Sequence, residues 1–331
     1  MARVYKVVST PAVFTTTSQM TAANWWDHFL ARMGIRRGQH RVAPGLYALG
    51  KPTVDSPVFV TANYSLSFDV LRTSLKGIDG YILVLDTRGV NVWCAAGKRT
   101  FGTREVIRRV KETQLGEVVK HRKLILPQLG APGVAAFEVK KQTGFVVEYG
   151  PVRAADLPEY LKTHQATPEM RRVHFPLQDR VILIPVDAGQ AILPALVAMA
   201  VLYLLGGLTY ALVAGVIFLA GTVLFPILLP WLPSHNFSTK GFVLGGLAAL
   251  PFVLSVFLQH PDWNWYRLYG QAIGFLLVMV GSTAYISLNF TGSTTFTSRT
   301  GVKQEIFTYI PAMAWTFGSG ILLMLVFAFV R

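Results

Sequence analysis

A chain of 331 residues that is 52% hydrophobic, with a positive mean hydropathy, is too apolar for an ordinary soluble protein. Its net charge of +14 is unevenly placed, because residues 1–190 hold 26 of the 31 Lys and Arg and 15 of the 17 Asp and Glu. A single cysteine, Cys94, excludes an internal disulfide, a four-thiolate iron–sulfur cluster and a cysteine-built structural zinc site. The charge split predicts a basic soluble part up to about residue 190 and a membrane part after it.

In chain order, residues 1–20 are polar and Thr-rich and predict a loosely held arm. Asn24 to Met33 (NWWDHFLARM) predicts a short amphipathic helix capped by Asn24. Its Trp25 and Trp26 either sit at a membrane interface or pack on the domain, the ordinary fate of such a pair. From Pro57 apolar runs alternate with helical segments. Strands are predicted at Val58–Ala62, Tyr81–Leu85, Lys123–Leu126, Phe145–Glu148 and Val181–Pro185, and helices at Leu66–Leu75, Arg104–Leu115, Val134–Lys141 and Leu157–Thr163. Strands without a polar face predict a parallel sheet covered on both sides.

Ligands gather at the carboxyl ends of such strands. The loops there are Thr61–Tyr64, Asp86–Thr103, Gln128–Gly133 (QLGAPG) and Gly150–Arg153, all with glycine, small side chains or amide and hydroxyl groups. Within them Gly130–Gly133 reads as a tight turn rather than a phosphate cradle. Tyr81–Trp93 also reads as a β-hairpin turning at Thr87-Arg88-Gly89. Either version delivers Cys94 to a loop at a strand end, with Thr103 placed to cap the next helix.

Five later stretches approach the roughly 20 residues that cross a hydrocarbon core. They are Ala191–Leu205, Leu208–Leu232, Gly241–Leu258, Leu268–Leu288 and Ile306–Val330, and they contain no Asp, Glu, Lys or Arg. The short first stretch and the tight Gly206-Gly207 connection leave four or six spans open. Absence of intramembrane charge disfavours a coupled transporter. Gly241/Gly245 and Gly270/Gly274 have small-xxx-small spacing, read first as bundle packing. With five spans, Lys240, Arg299 and Lys303 fall in connections on the side of the basic part and Arg267 and Arg331 fall opposite; the positive-inside rule, with no cleavable signal peptide before the basic start, predicts residues 1–190 in the cytoplasm.

Cys94 lies in Asn91-Val92-Trp93-Cys94-Ala95-Ala96-Gly97-Lys98 (NVWCAAGK). Three readings stand for a lone cysteine: a buried small hydrophobe, a nucleophile, or one ligand to a metal otherwise held by something that the protein does not supply. Ala95, Ala96 and Gly97 offer clearance for a large flat object, Trp93 an aromatic wall and Lys98 a charge. No nucleophile elbow, paired metal-ligand histidines or phosphate loop with its lysine occurs.

TANYSLSFDVLR (Thr61–Arg72), DGYILVLDTRGVNVWCAAGKRTFGT (Asp79–Thr103), HRKLILPQLGAPGVAAFEVKK (His121–Lys141) and YGPVRAADLPEYL (Tyr149–Leu161) together resemble the corrinoid-binding domain of the corrinoid iron–sulfur protein large subunit, over roughly residues 50–187. That family's iron–sulfur domain and barrel have no counterpart in this sequence, which continues into membrane stretches. With NVWCAAGK and FTGSTTFTSRTGVKQE (Phe290–Glu305), the chain is similar to the mercury-methylating corrinoid proteins. The resemblance implies an α/β Rossmann-like corrinoid-binding domain followed by an all-α transmembrane bundle of about five spans. It divides the chain into residues 1–49 (arm and short helix), 50–187 (cytoplasmic corrinoid-binding domain) and 188–331 (transmembrane domain).

Carried over residue by residue, the resemblance makes Cys94 the lower axial ligand of the corrinoid cobalt. A thiolate donates electrons more strongly than imidazole, which suits transfer of a methyl group to a soft acceptor such as thiol-bound Hg(II). The rest of NVWCAAGK, with Thr61, Asn63, Ser67, Gly130, Gly150, Pro151 and Ala154, is expected near the corrin or its nucleotide tail, or in turns that shape that edge. Lys98 either pairs with a corrin side chain or is solvated. A methyl group that departs as a carbanion equivalent leaves Co(III), which needs two electrons before it accepts another methyl cation equivalent. A chain with no iron–sulfur cluster of its own borrows them, and the resemblance implies a ferredoxin-like partner with two four-iron clusters, which could also deliver mercury, and a methyltetrahydrofolate-dependent methyl donor system. Two other readings remain: a corrinoid methyl carrier of one-carbon metabolism, and a corrinoid-sensing membrane transport or signalling protein. The positive charge matches anionic lipid or an acidic ferredoxin as well as it matches nucleic acid, so no nucleic-acid partner is expected.

Overall fold

Apolar runs with side chains alternating to opposite faces suit strands buried on both sides, and such runs form the middle of a six-stranded sheet. The computed structural model describes residues 12–36, 38–294 and 299–329. These described residues fall into two compact units, one formed by those up to 31 with those from 35 to 173, the other by 32–34 with those from 174 onward.

The first unit runs β1 (Val13–Thr16), α1 (Ala22–Arg32), β2 (Gly45–Leu49), β3 (Val58–Ala62), α2 (Ser65–Ser74), β4 (Gly80–Leu85), α3 (Val92–Gly97), α4 (Thr103–Glu112), α5 (Leu115–Val118), β5 (Lys123–Leu126), a 3-10 turn (Gln128–Gly133), α6 (Ala136–Thr143), β6 (Val146–Tyr149) and α7 (Leu157–Thr163). Strand order is β1-β2-β4-β3-β5-β6. β4, β3, β5 and β6 are parallel, while β2 runs antiparallel to β4 and pairs in parallel with β1. The expected all-parallel sheet is therefore mixed. One face buries Val58, Val60, Leu83, Leu85, Leu124 and Leu126 with side chains from α3, α4 and α6. The other buries Phe59, Ile82, Val84 and Ile125 with Phe68, Leu71 and Leu75 from the α2 region and Leu157 and Tyr160 of α7.

Four expectations change. Residues 13–16 are an edge strand rather than a loose arm, since they extend the ladder beside β2; residues 1–11 lie outside the described residues. Thr21, not Asn24, caps α1: Asn24 N donates to Thr21 Oγ1 (3.3 Å), and Asn24 Oδ1 accepts from Thr21 N (3.0 Å), a reciprocal box. Val181–Pro185 is helical, since it continues into the first membrane helix. Thr103 opens α4 rather than capping it, and its Oγ1 accepts from Ala135 N at 2.8 Å.

Polar side chains fasten α1 to α2. His28 Nε2 lies 2.8 Å from Asp69 Oδ2, and Arg72 Nε donates to Asp69 Oδ1 at 2.6 Å. Burial pushes the Asp69 pKa up, but the His28 and Arg72 hydrogen bonds and charges outweigh it and hold the carboxyl below its ordinary value. His40 faces two acceptors, Asp27 Oδ1 at 2.7 Å and Ile35 O at 2.6 Å, an arrangement that favours a ring with a proton on both nitrogens. Burial opposes that charge; the Asp27 hydrogen bond, the Ile35 carbonyl and the Asp27 charge exceed it and raise the pKa above 6.5. A raised histidine pKa gives stability that is complete below the unfolded value and is lost as pH rises through the folded one. Thermal stability of the full chain is therefore expected to fall from about pH 6.5 upward. His40→Gln should flatten that limb, and the acid limb, where Asp69 is protonated, should remain.

The second unit contains α8 (Leu177–Val181), α9 (Ile184–Gly206), α10 (Leu208–Leu219), a π turn (Ala220–Leu224), α11 (Phe225–Leu228), α12 (Phe237–Gln259), α13 (Trp265–Asn289) and α14 (Arg299–Phe329). Among the described residues five helical spans are long and apolar enough to cross a membrane: Leu177–Gly206, Leu208–Leu228, Phe237–Gln259, Trp265–Ser293 and Thr300–Ala328. Pro226, which lacks an N–H, follows the π turn that loosens the helix there. Gly241 and Gly245 admit α13 so closely that a Cβ would lie 2.6 Å from Ala284 Cα and 2.8 Å from Val280 Cα. Gly270 and Gly274 do the same for Phe327 and Met324 of α14.

The helices outrun the apolar stretches, so their end turns carry charge that the sequence assigns to connections or to the soluble part. Arg180 Nη1 donates to Pro226 O (2.9 Å) and Ile227 O (2.5 Å), and Lys240 Nζ donates to Leu229 O (2.5 Å), all at the carboxyl end of the second span. Glu305 Oε1 accepts from Ser238 N in the first turn of α12 at 2.6 Å. Cations at a helix carboxyl end and an anion at an amino end both match the helix dipole.

Candidate functional site

Strand order 4-3-5-6 reverses direction of winding between β3 and β5, so the loops after β3, β4, β5 and β6 share one carboxyl edge at a topological switch point. The first fastener there is Asn63, directly after β3 and 1% exposed. Its Oδ1 accepts from Thr87 N (3.0 Å) and Gly89 N (3.0 Å), and its Nδ2 donates to Asp86 Oδ1 (3.3 Å). One amide thereby holds the loop after β4, where Arg88 and Gly89 both have positive φ. Glu105 of α4 adds a bond from Asp86 N at 2.9 Å.

That loop turns into α3, which settles the hairpin alternative in favour of strand, loop and helix. Asn91 caps α3, its Oδ1 accepting from Cys94 N at 2.9 Å. Cys94 is half-buried in the first turn of this helix, not in a loop. Ala95 and Ala96 turn into the core beside Phe101, so their smallness serves packing, while Gly97 and Lys98 are exposed and a Cβ on Gly97 would meet open space. Val92 and Trp93 are half-buried next to the cysteine.

The 3-10 turn after β5 nests under α3. A Cβ on Gly133 would stand 2.1 Å from Phe101 O and 3.1 Å from Ala96 Cα, and one on Gly130 would stand 2.5 Å from Phe101 Cε1. Gly133→Ala is accordingly expected to destabilise the full chain by about 2 kcal/mol through forced displacement of backbone, read by chemical unfolding; Gly97→Ala should be near neutral. Gln128 N donates to Pro151 O at 3.3 Å, and Gly150 N donates to Leu126 O at 2.8 Å, which brings the loop after β6 to the same edge. Tyr149 closes it from below, its hydroxyl donating to Val134 O at 2.6 Å, and burial raises its pKa.

The structure thus brings together Asn63, Asn91–Lys98, Gly130, Gly150 and Pro151 at one edge. Thr61 lies inside β3, buried and on the face of Phe59; Ser67 is in the first turn of α2; Ala154 packs against the α2/α7 face of the core. Glu105 and Phe101 shape the site without having been singled out from sequence, and so do Thr87 and Gly133, which the sequence offers only as turn residues. Among the described residues no group of three His, Cys, Asp or Glu side chains is placed to hold a metal ion. A groove of about 560 Å³ lined by Val58, His121, Lys123, Glu148 and Leu161 opens at the amino ends of the strands, away from Cys94.

Residues 36–161 match the protein family described as the CO dehydrogenase/acetyl-CoA synthase delta subunit. The chain is 35% identical over 124 residues to the acetyl-CoA decarbonylase/synthase complex subunit gamma of Archaeoglobus fulgidus, covering 37% of this chain and 26% of that protein. It is 37% identical over 129 residues to the subunit of the same description in Methanothermobacter thermautotrophicus, covering 38% and 27%. It is 29% identical over 129 residues to the corrinoid/iron-sulfur protein large subunit of Moorella thermoacetica, covering 38% and 28%. The chain spans about a quarter of the length of these relatives. The segment that builds the carboxyl edge around Cys94 is therefore homologous to part of the corrinoid/iron–sulfur large subunit and the gamma subunits.

Proposed function

We propose that the carboxyl edge of β4, β3, β5 and β6 holds a corrinoid and that the chain is a membrane-anchored corrinoid protein that passes methyl groups in one-carbon metabolism. The observation that carries this reading is the position of Cys94: a half-buried thiol on α3, at the switch-point edge, within the segment homologous to a corrinoid/iron-sulfur large subunit. The one cysteine of the chain can supply one thiolate, which suits a metal whose other positions a macrocycle fills. Gly97 leaves open space one turn along, and Asn63 and Asn91 fix the backbone on which the sulfur rides. The corrinoid, when bound, supplies the methyl-carrying cobalt, and the chain orients it and donates electron density through Cys94.

A second reading names Hg(II) as methyl acceptor. It rests on the similarity of NVWCAAGK and Phe290–Glu305, joined to a membrane part, to the mercury-methylating corrinoid proteins. In either reading a methyltetrahydrofolate-dependent system would supply the methyl group; a ferredoxin-like electron donor would be needed at each turnover where the methyl group leaves as a carbanion equivalent, as toward Hg(II). The first unit faces the cytoplasm in both. Arg180, Lys240 and Lys303, on the bundle end from which the chain enters, support that orientation. The experiment is anaerobic purification of the full chain from a corrinoid-producing host, followed by absorbance spectroscopy. Protein without stoichiometric corrinoid sinks both readings. With methylated corrinoid bound, parallel incubation with Hg(II) and with candidate thiol acceptors separates them by product.

A further inference from the structure

Helix α1 is amphipathic the wrong way round for a soluble domain. Its polar residues point inward: Asn24 accepts from Arg72 Nη2 at 3.0 Å, His28 is bonded to Asp69, and Asp27 is held by His40 and by Ser65 Oγ at 2.5 Å. Its apolar residues point out. Trp25 is 63% exposed, Trp26 61% and Phe29 50%, and Met33 continues the row one turn later. Trp25, Phe29 and Met33 follow at four-residue intervals with Trp26 beside them, so they make one stripe along the helix. The ordinary reading, in which this pair of tryptophans packs on the domain, is thereby corrected. The stripe cannot roll inward, because the inward face is committed to the buried ion pairs.

We propose that α1 lies in the membrane interface, its stripe seated at the boundary of headgroups and acyl chains. Three observations select lipid as the occupant. Tryptophan and phenylalanine suit that zone, where one side is apolar and the other wet. The chain passes directly from α1 into the unit that carries the five spans: Arg32–Gly34 belong to it, and Met33 O stands 3.3 Å from where a Cβ on Gly189 in the first span would be. The sequence around the helix end is basic, with Arg32, Arg36, Arg37 and Arg41 against Asp27, whose carboxylate is already paired with His40. That charge attracts anionic headgroups and repels a second copy of the same surface.

The full chain, with Cys94→Ala as background, is reconstituted into phosphatidylethanolamine–phosphatidylglycerol bilayers and labelled with a nitroxide at Phe29→Cys, at Trp26→Cys and, as a water-exposed reference on α4, at Lys111→Cys. Power saturation should show oxygen reaching labels 26 and 29 in preference to a water-soluble nickel chelate, with the order reversed at 111. Labels 26 and 29 that behave as 111 does, or that are sheltered from both reagents because protein covers them, overturn the proposal. A second arm avoids a cysteine in the stripe: lipids brominated near the headgroup quench tryptophan, and Trp25→Tyr with Trp26→Tyr should lower the quenched share among the seven tryptophans. An unchanged share overturns it as well.

Discussion

Cys94→Ala is expected to reduce methyl transfer by the purified full chain by about 100-fold or more, beyond the 10–100-fold usual for loss of a residue that only supports a metal ligand. The fold should survive. The side chain is half-buried on a surface helix, and alanine is the better helix former, so chemical unfolding should shift by less than about 1 kcal/mol. Two readouts distinguish a cobalt ligand from a packing residue. A ligand's removal moves the visible absorption bands of bound corrinoid, whereas a packing residue's removal leaves the bands in place and lowers occupancy. Activity retained by the alanine variant, with unshifted bands, would exclude Cys94 from the reaction.

Asn63→Ala should give the largest stability effect in the first unit, about 3 kcal/mol, because it orphans the Thr87 and Gly89 amides together at roughly 1–3 kcal/mol for each unmet donor. The loss is local in its consequences. With the amide gone, the turn through positive-φ Arg88 and Gly89 is no longer tied to β3, and α3 loses the anchor that sets its start. Hydrogen exchange at Thr87 and Gly89 should therefore accelerate well before global unfolding. Asn63→Asp is a sharper probe: it keeps the acceptor but sets a carboxylate about where Nδ2 now meets Asp86, 3.3 Å away. That variant should recover stability in acid, where one of the two carboxyls is protonated.

The parts of this architecture that could be read from sequence are those in which one run of residues decides its own structure. β3, β4 and β5 are dense apolar runs bounded by polar or turn residues, and they form where expected; β6 does so with its ends shifted by one residue. β2 was hidden because five residues, Gly45–Leu49, sit between Pro44 and Gly50 and pass for a loop. Gly50 has φ +72°, and a Cβ there would lie 1.9 Å from Asp79 Oδ1, so the glycine that masks the strand is the one that ends it. Val181–Pro185 misled in the opposite sense. Val-Ile-Leu-Ile is a good strand, but here it is flanked by residues that carry a 30-residue helical span. At the site, local pattern placed Cys94 at a strand end. It could not show that Asn63 reaches 24 residues ahead to hold Thr87, or that Ala95 and Ala96 are small for the sake of Phe101 and Gly133. Those are tertiary facts, and residue type alone leaves several explanations for each.

β1 has a consequence for how the homologous segment can be handled. The match to other proteins begins at residue 36, yet β2, inside that segment, takes its outer neighbour from residues 13–16. A shortened chain starting at residue 36 would leave the peptide groups of Leu46 and Ala48 without their ladder partners and open a flat apolar margin to self-association. Such a fragment should precipitate or form strand-swapped oligomers, visible by light scattering, where a chain that retains Val13–Thr16 stays dispersed. The four-residue strand at the beginning thus acts as a guard for the sheet's free margin, and the minimal folding unit starts before the recognisable homology does.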